Sequence, residues 1–287
     1  MRIDAHQHFW KYNPVRDAWI TDEMALLKND FLPEGLLPEL AANDMTGCIA
    51  VQADQSETET FFLLDLASQY ETILGVVGWV DLCADNVAER LEYFSQYPKL
   101  CGFRHILQAE PDDRFMLRPA FLRGIECLGS ERFGFTYDVL VYPPQLPAVI
   151  ELVSKFPNQP FVIDHMAKPR IKERRHLPWA HHLRTVAENK NVYCKVSGLV
   201  TEANWQNWTG QDFTSYLDLV FEAFGVDRLI FGSDWPVCLL AASYRQVVEV
   251  IADYARDLPA ADQAKIFGLN AGHLYGQRAR HAIATGK

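Results

Sequence analysis

Eight short runs of apolar and β-branched residues, most of them followed by an amphipathic stretch, recur along almost the whole chain. Strands that alternate with helices indicate a parallel sheet with right-handed crossovers, and eight such units indicate a sheet closed into a barrel. The length of 287 residues suits this architecture, which typically needs ~250. Strands are predicted over residues 3–8, 47–52, 73–80, 100–106, 134–141, 161–165, 192–197 and 229–233. Helices are predicted over residues 36–43, 58–69, 86–97, 119–128, 146–155, 179–188, 213–224 and 244–256, with one or two more within 260–275.

The main alternative is an open, doubly wound sheet. That fold would place a glycine-rich phosphate-binding turn after the first strand, and the residues from Ala5 to Phe9 include no glycine. The chain also shows no internal repeat and no linker rich in serine, glycine or proline. We therefore predict an α/β protein with one domain, a (β/α)8 or TIM barrel over residues 1–287.

Composition excludes several classes of partner. The net charge is −10 and the isoelectric point is near 5.4, which argues against binding to nucleic acid. No apolar run approaches the ~18 residues of a membrane span, and no basic-then-apolar leader is present, so we expect a cytoplasmic protein that does not enter a membrane. The six cysteines lack metal-binding or disulfide spacing and are interpreted as reduced thiols. The composition is compatible with either a monomer or a homo-oligomer.

Polar and titratable residues recur at the carboxyl ends of six predicted strands. Active sites of such barrels lie on that face, so we expect these side chains to surround one pocket. Chance could supply two or three of them, but six are difficult to explain that way. The residues are His6 and His8, Arg104 and His105, Tyr137 and Asp138, Asp164 and His165, Lys195 and Ser197, and Ser233 to Trp235.

The pair His6 and His8 belongs to the first strand. Side chains alternate with period two along a strand, so these two imidazoles are expected to face the same way. Two adjacent imidazoles can share a metal ion or hold a reacting carbonyl group. The pattern does not decide between these two roles, and it also allows a third interpretation, in which the two histidines are close by chance.

The remaining strand-end residues each have a functional and a structural interpretation. Asp234 follows an apolar strand, where a carboxylate needs a partner or a task. Arg104 and Lys195 could bind substrate oxygens or could neutralise nearby carboxylates. Tyr137 and Trp235 could line a sugar pocket or could be packing residues. The stretch Lys168-Pro169-Arg170 is interpreted as a solvated loop.

Three motifs together resemble the amidohydrolase superfamily, and within it the sugar-lactonase branch with its fuconolactonase-like and rhamnonolactonase-like members. They are His6-Gln7-His8, Asp164-His165 and Gly232-Ser233-Asp234-Trp235-Pro236. The phrases Gly102-Phe103-Arg104-His105, Lys195-Val196-Ser197-Gly198-Leu199 and Phe267-Gly268-Leu269-Asn270-Ala271 fit the same branch, so the resemblance covers nearly the whole chain.

The resemblance implies a distorted barrel that opens a small sugar lactone, L-fuconolactone or a related aldonolactone, by direct attack of water. Asp234 would be the general base, and His6, His8 and His165 would face the carbonyl oxygen. Strand seven has Lys195 where binuclear members of the superfamily carry a histidine, so we expect either one divalent cation, such as zinc, on His6, His8, Asp234 and His165, or none. Candidate hydroxyl-binding residues are Arg104, His105, Tyr137, Asp138, Lys195 and Trp235. A dicarboxylate-lactone hydrolase and a zinc-dependent decarboxylase are the alternatives.

Overall fold

The predicted barrel is confirmed. In the computed structural model, which describes residues 1–129 and 133–276, eight parallel strands follow one another around one sheet in chain order. They are β1 (Ile3–Gln7), β2 (Gly47–Val51), β3 (Ile73–Gly78), β4 (Leu100–His105), β5 (Thr136–Val139), β6 (Phe161–Ile163), β7 (Val192–Val196) and β8 (Leu229–Phe231). The prediction of one domain over 1–287 also includes residues 130–132 and 277–287, which lie outside the described residues.

Helices connect the strands and surround the sheet. They are α1 (Pro33–Ala42), α2 (Glu57–Gln69), α3 (Val87–Phe94), α4 (Pro119–Leu128), α5 (Leu146–Lys155), α6 (Trp179–Ala187), α7 (Leu199–Glu202), α8 (Gln211–Phe224), α9 (Tyr244–Tyr254), α10 (Ala260–Ala264) and α11 (Asn270–Tyr275). Four-residue α7 was not predicted. Within the described part of the chain, no helix is both long and apolar enough to cross a membrane.

The barrel closes where β1 meets β8. The His8 N–H donates to the carbonyl oxygen of Trp235 at 2.7 Å, and the Asp234 N–H donates to that of His6 at 2.8 Å. The buried carboxylate of Asp4 adds a side-chain link, because it accepts hydrogen bonds from the Ser233 N–H at 2.9 Å and the Ser233 hydroxyl at 2.6 Å. These bonds hold the residues that follow β8 beside the end of β1.

The core has two layers. A large apolar cluster fills the space between the sheet and the helices, and a smaller one, including Ile49, Val77 and Ile230, fills the barrel interior. Leu274 and Tyr275 of α11 join the interior cluster, and the Tyr275 hydroxyl donates to Asp138 Oδ2 at 2.9 Å. One end of the barrel is therefore closed by α11, and the opposite end is left for a ligand.

Several predicted boundaries were too long. Residues 134–141 were predicted as one strand, but β5 covers only Thr136–Val139, and β6 ends at Ile163 because the chain turns sharply after it. The region 260–275 divides into α10, a π-helical turn over Lys265–Leu269, and α11. The long connection from β1 to α1 contains a short 3-10 helix at Asp22–Leu27, and its Trp10 and Trp19 cover the open end of the barrel.

Candidate active site

A cavity of about 260 Å3 lies at the carboxyl ends of the strands. One part of its wall is polar and is formed by His8, Gln55, Arg104, Gln108, His165, Lys168 and Asp234. The other part is largely apolar and includes Trp10, Trp19, Ile106, Leu140 and Val237. A wall with both characters suits a small molecule that carries hydroxyl groups on a carbon ring.

An irregularity in β1 directs both histidines of the motif into the barrel. The register between β1 and β2 shifts between Asp4 and Gln7. Asp4 contacts the Tyr244 hydroxyl of α9 outside the sheet at 3.1 Å, and Gln7 Nε2 contacts the sulfur of Cys48. Ala5 belongs to the interior cluster, and His6 contacts groups inside the barrel. The prediction that His6 and His8 face the same way is confirmed, with their Nε2 atoms 3.2 Å apart.

His8 has one ring nitrogen available to a ligand. Its Nδ1 lies 2.7 Å from the carbonyl oxygen of Val51, which can only accept, so Nδ1 carries the proton of that hydrogen bond. In the neutral ring Nε2 is then an acceptor, and it faces Asp234 Oδ1 at 3.4 Å. Two acceptors this close repel each other unless a proton or a cation lies between them. The geometry therefore favours a positive charge beside Asp234.

His6 lies directly behind His8 and is fully buried. Its Nε2 is 3.8 Å from Asp234 Oδ1, and its Nδ1 is 3.1 Å from Lys195 Nζ and 3.3 Å from Asp164 Oδ1. Because an ammonium donor and a carboxylate acceptor both reach Nδ1, the surroundings accept either tautomer of His6. When Nδ1–H donates to Asp164, Nε2 is an acceptor that could bind a cation, and Arg104 NH1 contacts it at 3.3 Å.

His165 follows β6 and faces Asp234 from the other side. Its Nε2 is 3.9 Å from Asp234 Oδ1, and its Nδ1 is 2.9 Å from the hydroxyl oxygen of Ser197. Burial lowers the pKa of His165 to about 4, so the ring is neutral near pH 7. If the Ser197 hydroxyl donates to Nδ1, His165 carries its proton on Nε2, where it can donate to a ligand.

Asp234 is a carboxylate at neutral pH. Burial by itself would raise its pKa, but the imidazoles of His165, His8 and His6 hold the pKa below its ordinary value. Its backbone has φ of 59°, a left-handed conformation that aspartate tolerates better than most residues. The Cys238 N–H donates to the carbonyl oxygen of Asp234 at 2.9 Å. The side chain therefore extends into the cavity from a hydrogen-bonded turn.

A buried network of four charges lies around His6. The ammonium of Lys195 is 2.5 Å from Asp138 Oδ2 and 3.0 Å from Asp164 Oδ1, and Arg104 NH1 donates to Asp164 Oδ2 at 3.0 Å. Burial opposes the charged form of Lys195, but these two carboxylates raise its pKa above the ordinary value. Two cations and two carboxylates balance, so the interior carries no net charge from this network.

The structure corrects most of the predicted hydroxyl-binding residues. Lys195 and Asp138 are fully buried and pair with each other below the cavity, so they are not available to substrate. Tyr137 packs between Phe121 and Phe161 in the outer core. The sequence alone could not distinguish these positions from the cavity wall, because depth within a barrel depends on the stagger of all its strands.

His105 and Trp235 are also displaced from the cavity wall. His105 binds Glu110 at 2.7 Å and stacks on Phe115, and Trp235 packs against Phe9 and Phe31. Of the predicted hydroxyl-binding residues, Arg104 alone lines the cavity in the described residues. Its guanidinium is committed to Asp164 and to Gln52.

Of the residues near the cavity, Asp4 was overlooked in the sequence and Lys168 was misinterpreted. Asp4 accepts four hydrogen bonds, from the N–H groups of His6 and Ser233 and from the hydroxyls of Ser233 and Tyr244. A carboxylate in the first strand, two residues before a His-x-His pair, was a signal that could have identified it. Lys168 lines the cavity although it was interpreted as part of a solvated loop, and its position three residues after a predicted strand was the signal that indicated this.

The donor set at the centre fits a divalent cation. His6 Nε2, His8 Nε2 and Asp234 Oδ1 lie within 4.8 Å of one another, and all three residues are buried. Two imidazole nitrogens and one carboxylate oxygen are ligands that zinc prefers. His8 Nε2 and Asp234 Oδ1, which lie 3.4 Å apart, are two of the atoms that would hold such an ion.

Comparison with known proteins agrees with this geometry. The sequence model of the amidohydrolase family matches residues 3–277. The chain belongs to the amidohydrolase family. The L-fucono-1,5-lactonase of Burkholderia multivorans is 41% identical over 286 residues, covering 96% of each protein. The L-fucono-1,5-lactonase of Burkholderia ambifaria is 34% identical over 285 residues, covering 96% of this chain and 95% of that protein.

A solved structure provides a second comparison, this time of the fold. The crystal structure of an amidohydrolase from Burkholderia multivorans with bound zinc superimposes with a TM-score of 0.91 and is 40% identical. The match covers 96% of this chain and 99% of that one. A family member with the same fold thus binds zinc.

Proposed function

We propose that this amidohydrolase hydrolyses a small sugar lactone, with L-fucono-1,5-lactone as the first substrate to test. The observation that carries the proposal is the ionised Asp234 in a small cavity, facing the Nε2 atoms of His8 and His165 at 3.4 Å and 3.9 Å. A base beside groups that can stabilise an oxyanion is the arrangement that addition of water to a carbonyl requires. The two Burkholderia lactonases support the choice of substrate.

In the proposed reaction, Asp234 takes one proton from a water molecule whose oxygen attacks the lactone carbonyl carbon. A general base typically contributes ~10²–10⁴-fold to such a step. The carbonyl oxygen becomes negatively charged, and the Nε2–H of His165 donates to it. The bond from the carbonyl carbon to the ring oxygen then breaks, and Asp234 returns the proton to that oxygen. The product is a hydroxy acid, whose carboxyl group releases the second proton of the water to solvent and so becomes a carboxylate.

We further propose that His6, His8 and Asp234 hold one divalent cation, with His165 next to it. When bound, such an ion polarises the carbonyl group and lowers the pKa of a bound water to ~7. In the cation-free form, the Nε2–H of His165 is still a donor to the carbonyl oxygen.

The two alternatives are less well supported. A dicarboxylate lactone would need cations for two carboxylate groups, whereas Arg104 and Lys168 are the cationic side chains of the cavity wall in the described residues. NH1 and NH2 of Arg104 already donate to Asp164 and Gln52, which leaves only the Nε–H of its guanidinium without a partner for a second anion.

The direct test is hydrolysis across a panel of aldonolactones, followed with a pH indicator and corrected for spontaneous opening. We expect Asp234→Asn to lose at least about 100-fold in kcat with an unchanged circular dichroism spectrum. Asp253→Asn is the matched control, since this aspartate is exposed on α9 and its side chain pairs with Arg256. Near-normal turnover by Asp234→Asn would refute the mechanism.

The cation is tested separately by its effect on stability. Protein treated with a chelator should gain thermal stability when zinc is added back, because an ion that binds only the folded state stabilises it. His8→Ala should lose this gain. Equal zinc-dependent stabilisation of both proteins would show that the ion binds elsewhere.

A further inference from the structure

Four consecutive residues after β6 have left-handed backbone conformations. The φ angles are 51° for His165, 53° for Met166, 56° for Ala167 and 48° for Lys168, and none of these residues is glycine. In this conformation the Cβ atom crowds the carbonyl oxygen, so such residues occur singly far more often than in runs. A run of four persists only where its surroundings enforce it.

The surroundings of this turn do enforce it. The indole N–H of Trp179 donates to the carbonyl oxygen of Met166 at 2.7 Å, and both side chains are almost completely buried. The Lys168 N–H donates to the carbonyl oxygen of His165 at 2.8 Å. On the other side, Gly198 approaches His165 so closely that a Cβ there would lie 2.8 Å from the imidazole. The turn is thus held by α6 and by the segment after β7.

The turn brings its first and last residues to the same cavity. Residues three apart lie on one side of a turn with about three residues, and both His165 and Lys168 line the cavity wall. Met166 and Ala167, between them, are buried in the outer core. The strained backbone therefore places a lysine beside His165, close to where the ligand would lie.

Lys168 has hydrogen-bonding capacity left for a ligand. Its Nζ is 3.8 Å from Glu202 Oε1, which is longer than a hydrogen bond, and 5.5 Å from the centre of the Tyr142 ring. The side chain keeps 18% of its surface exposed. An ammonium group carries three donors, and Glu202 can orient it without using all of them. Arg104, by contrast, is held by three different groups.

We propose that Lys168 is a specificity-determining residue that donates hydrogen bonds to a hydroxyl oxygen of the sugar lactone, with Glu202 orienting the ammonium. This rests on the proposed lactone hydrolysis. Because the carbonyl group lies at Asp234, Lys168 binds a part of the substrate that does not react. It therefore selects hydroxylated lactones over lactones that have only hydrogen on the ring carbons.

The test compares a sugar 1,5-lactone with unsubstituted δ-valerolactone, which has the same ring size and no hydroxyl group. Lys168→Met keeps the side-chain length and removes the donors. We expect kcat/KM for the sugar lactone to fall about 10–100-fold, mainly through KM, since a hydrogen bond to a charged group is lost. With δ-valerolactone the change should stay below about twofold. Lys168→Arg, which keeps the donors, should recover part of the loss.

Lys172→Met is the matched control, because Lys172 is exposed on the same connection and lies outside the wall of this cavity. An equal loss on both lactones, or no loss on either, would overturn the assignment of Lys168 and leave the lactonase proposal standing. If the wild-type protein opens neither lactone, the proposed function itself fails. Should Lys168→Met not fold, Glu202→Gln supplies the second comparison, with a smaller loss expected on the sugar lactone alone.

Discussion

Removing the ammonium of Lys195 should destabilise the protein far more than removing a lysine from the surface. Lys195 is fully buried, and its Nζ contacts Asp138 Oδ2 at 2.5 Å and Asp164 Oδ1 at 3.0 Å. With Arg104 included, the network holds two cations and two carboxylates. Lys195→Met leaves one cation for two buried carboxylates, so one negative charge loses its partner.

The size of the effect follows from this imbalance. Breaking a buried ion pair by removing one partner typically costs about 3–5 kcal/mol, because the other charge stays buried. Lys265 is the control: it also contacts two carboxylates, Asp227 at 2.8 Å and Asp262 at 2.9 Å, but it lies at the surface. Lys265→Met should cost far less than Lys195→Met, because solvent screens ion pairs at the surface.

Equilibrium unfolding in urea at pH 7 measures these differences. The double variant Lys195→Met with Asp138→Asn restores one cation to one carboxylate, and we expect it to recover at least about half of the loss. A cost below about 1 kcal/mol for Lys195→Met, or a double variant no more stable than the single one, would refute the charge-balance argument.

Three further predictions concern positions around the cavity. Gly198→Ala adds a Cβ 2.8 Å from His165 at a φ of 67°, so kcat for lactone opening should fall about 100-fold with little change in secondary structure, and a fully active variant would contradict this. Asp4→Asn removes an acceptor that links His6 to Ser233, so kcat should fall more than KM changes, whereas a change in KM alone would be unexpected. Burial raises the pKa of Glu59 from 4.5 to about 7. Binding of a proton by Glu59 therefore stabilises the folded state, fully below pH 4.5, and this stabilisation is lost as the pH rises through 7. Glu59→Gln should therefore remove roughly 3 kcal/mol of pH dependence between pH 5 and pH 8 in urea unfolding, and an unchanged slope would argue against the buried carboxyl.

Local patterns in the sequence were sufficient to predict the barrel. Each strand is a short apolar run and each helix has apolar residues at three- and four-residue spacing, so the alternation is visible without any long-range contact. The same reasoning located the end of the barrel that holds the cavity. His8, His165 and Asp234 all follow apolar strands, and all three line it.

Neighbouring residues on one strand show where this reasoning ends. Tyr137 and Asp138 were both predicted to bind substrate, although adjacent side chains on a strand face opposite sides of the sheet. The alternation of side chains along a strand therefore means that one of the two residues lies outside the barrel, but it does not show which one. The structure places Tyr137 in the outer core and Asp138 inside, bound to Lys195 and Tyr275.

The sequence by itself determined the fold class and the end of the barrel that carries the cavity, because these depend on periodicity and on the direction of parallel strands. The choice of His8, His165 and Asp234 among the strand-end residues came from the resemblance to a known family. Only the tertiary structure decided which interior charges reach the cavity and which neutralise each other below it, because depth depends on the stagger of the strands. The tertiary structure also showed that Lys168 lies in the cavity wall. The left-handed turn that places it there is enforced by Trp179 of α6 and by Gly198 after β7, and contacts with other elements cannot be read from the local sequence.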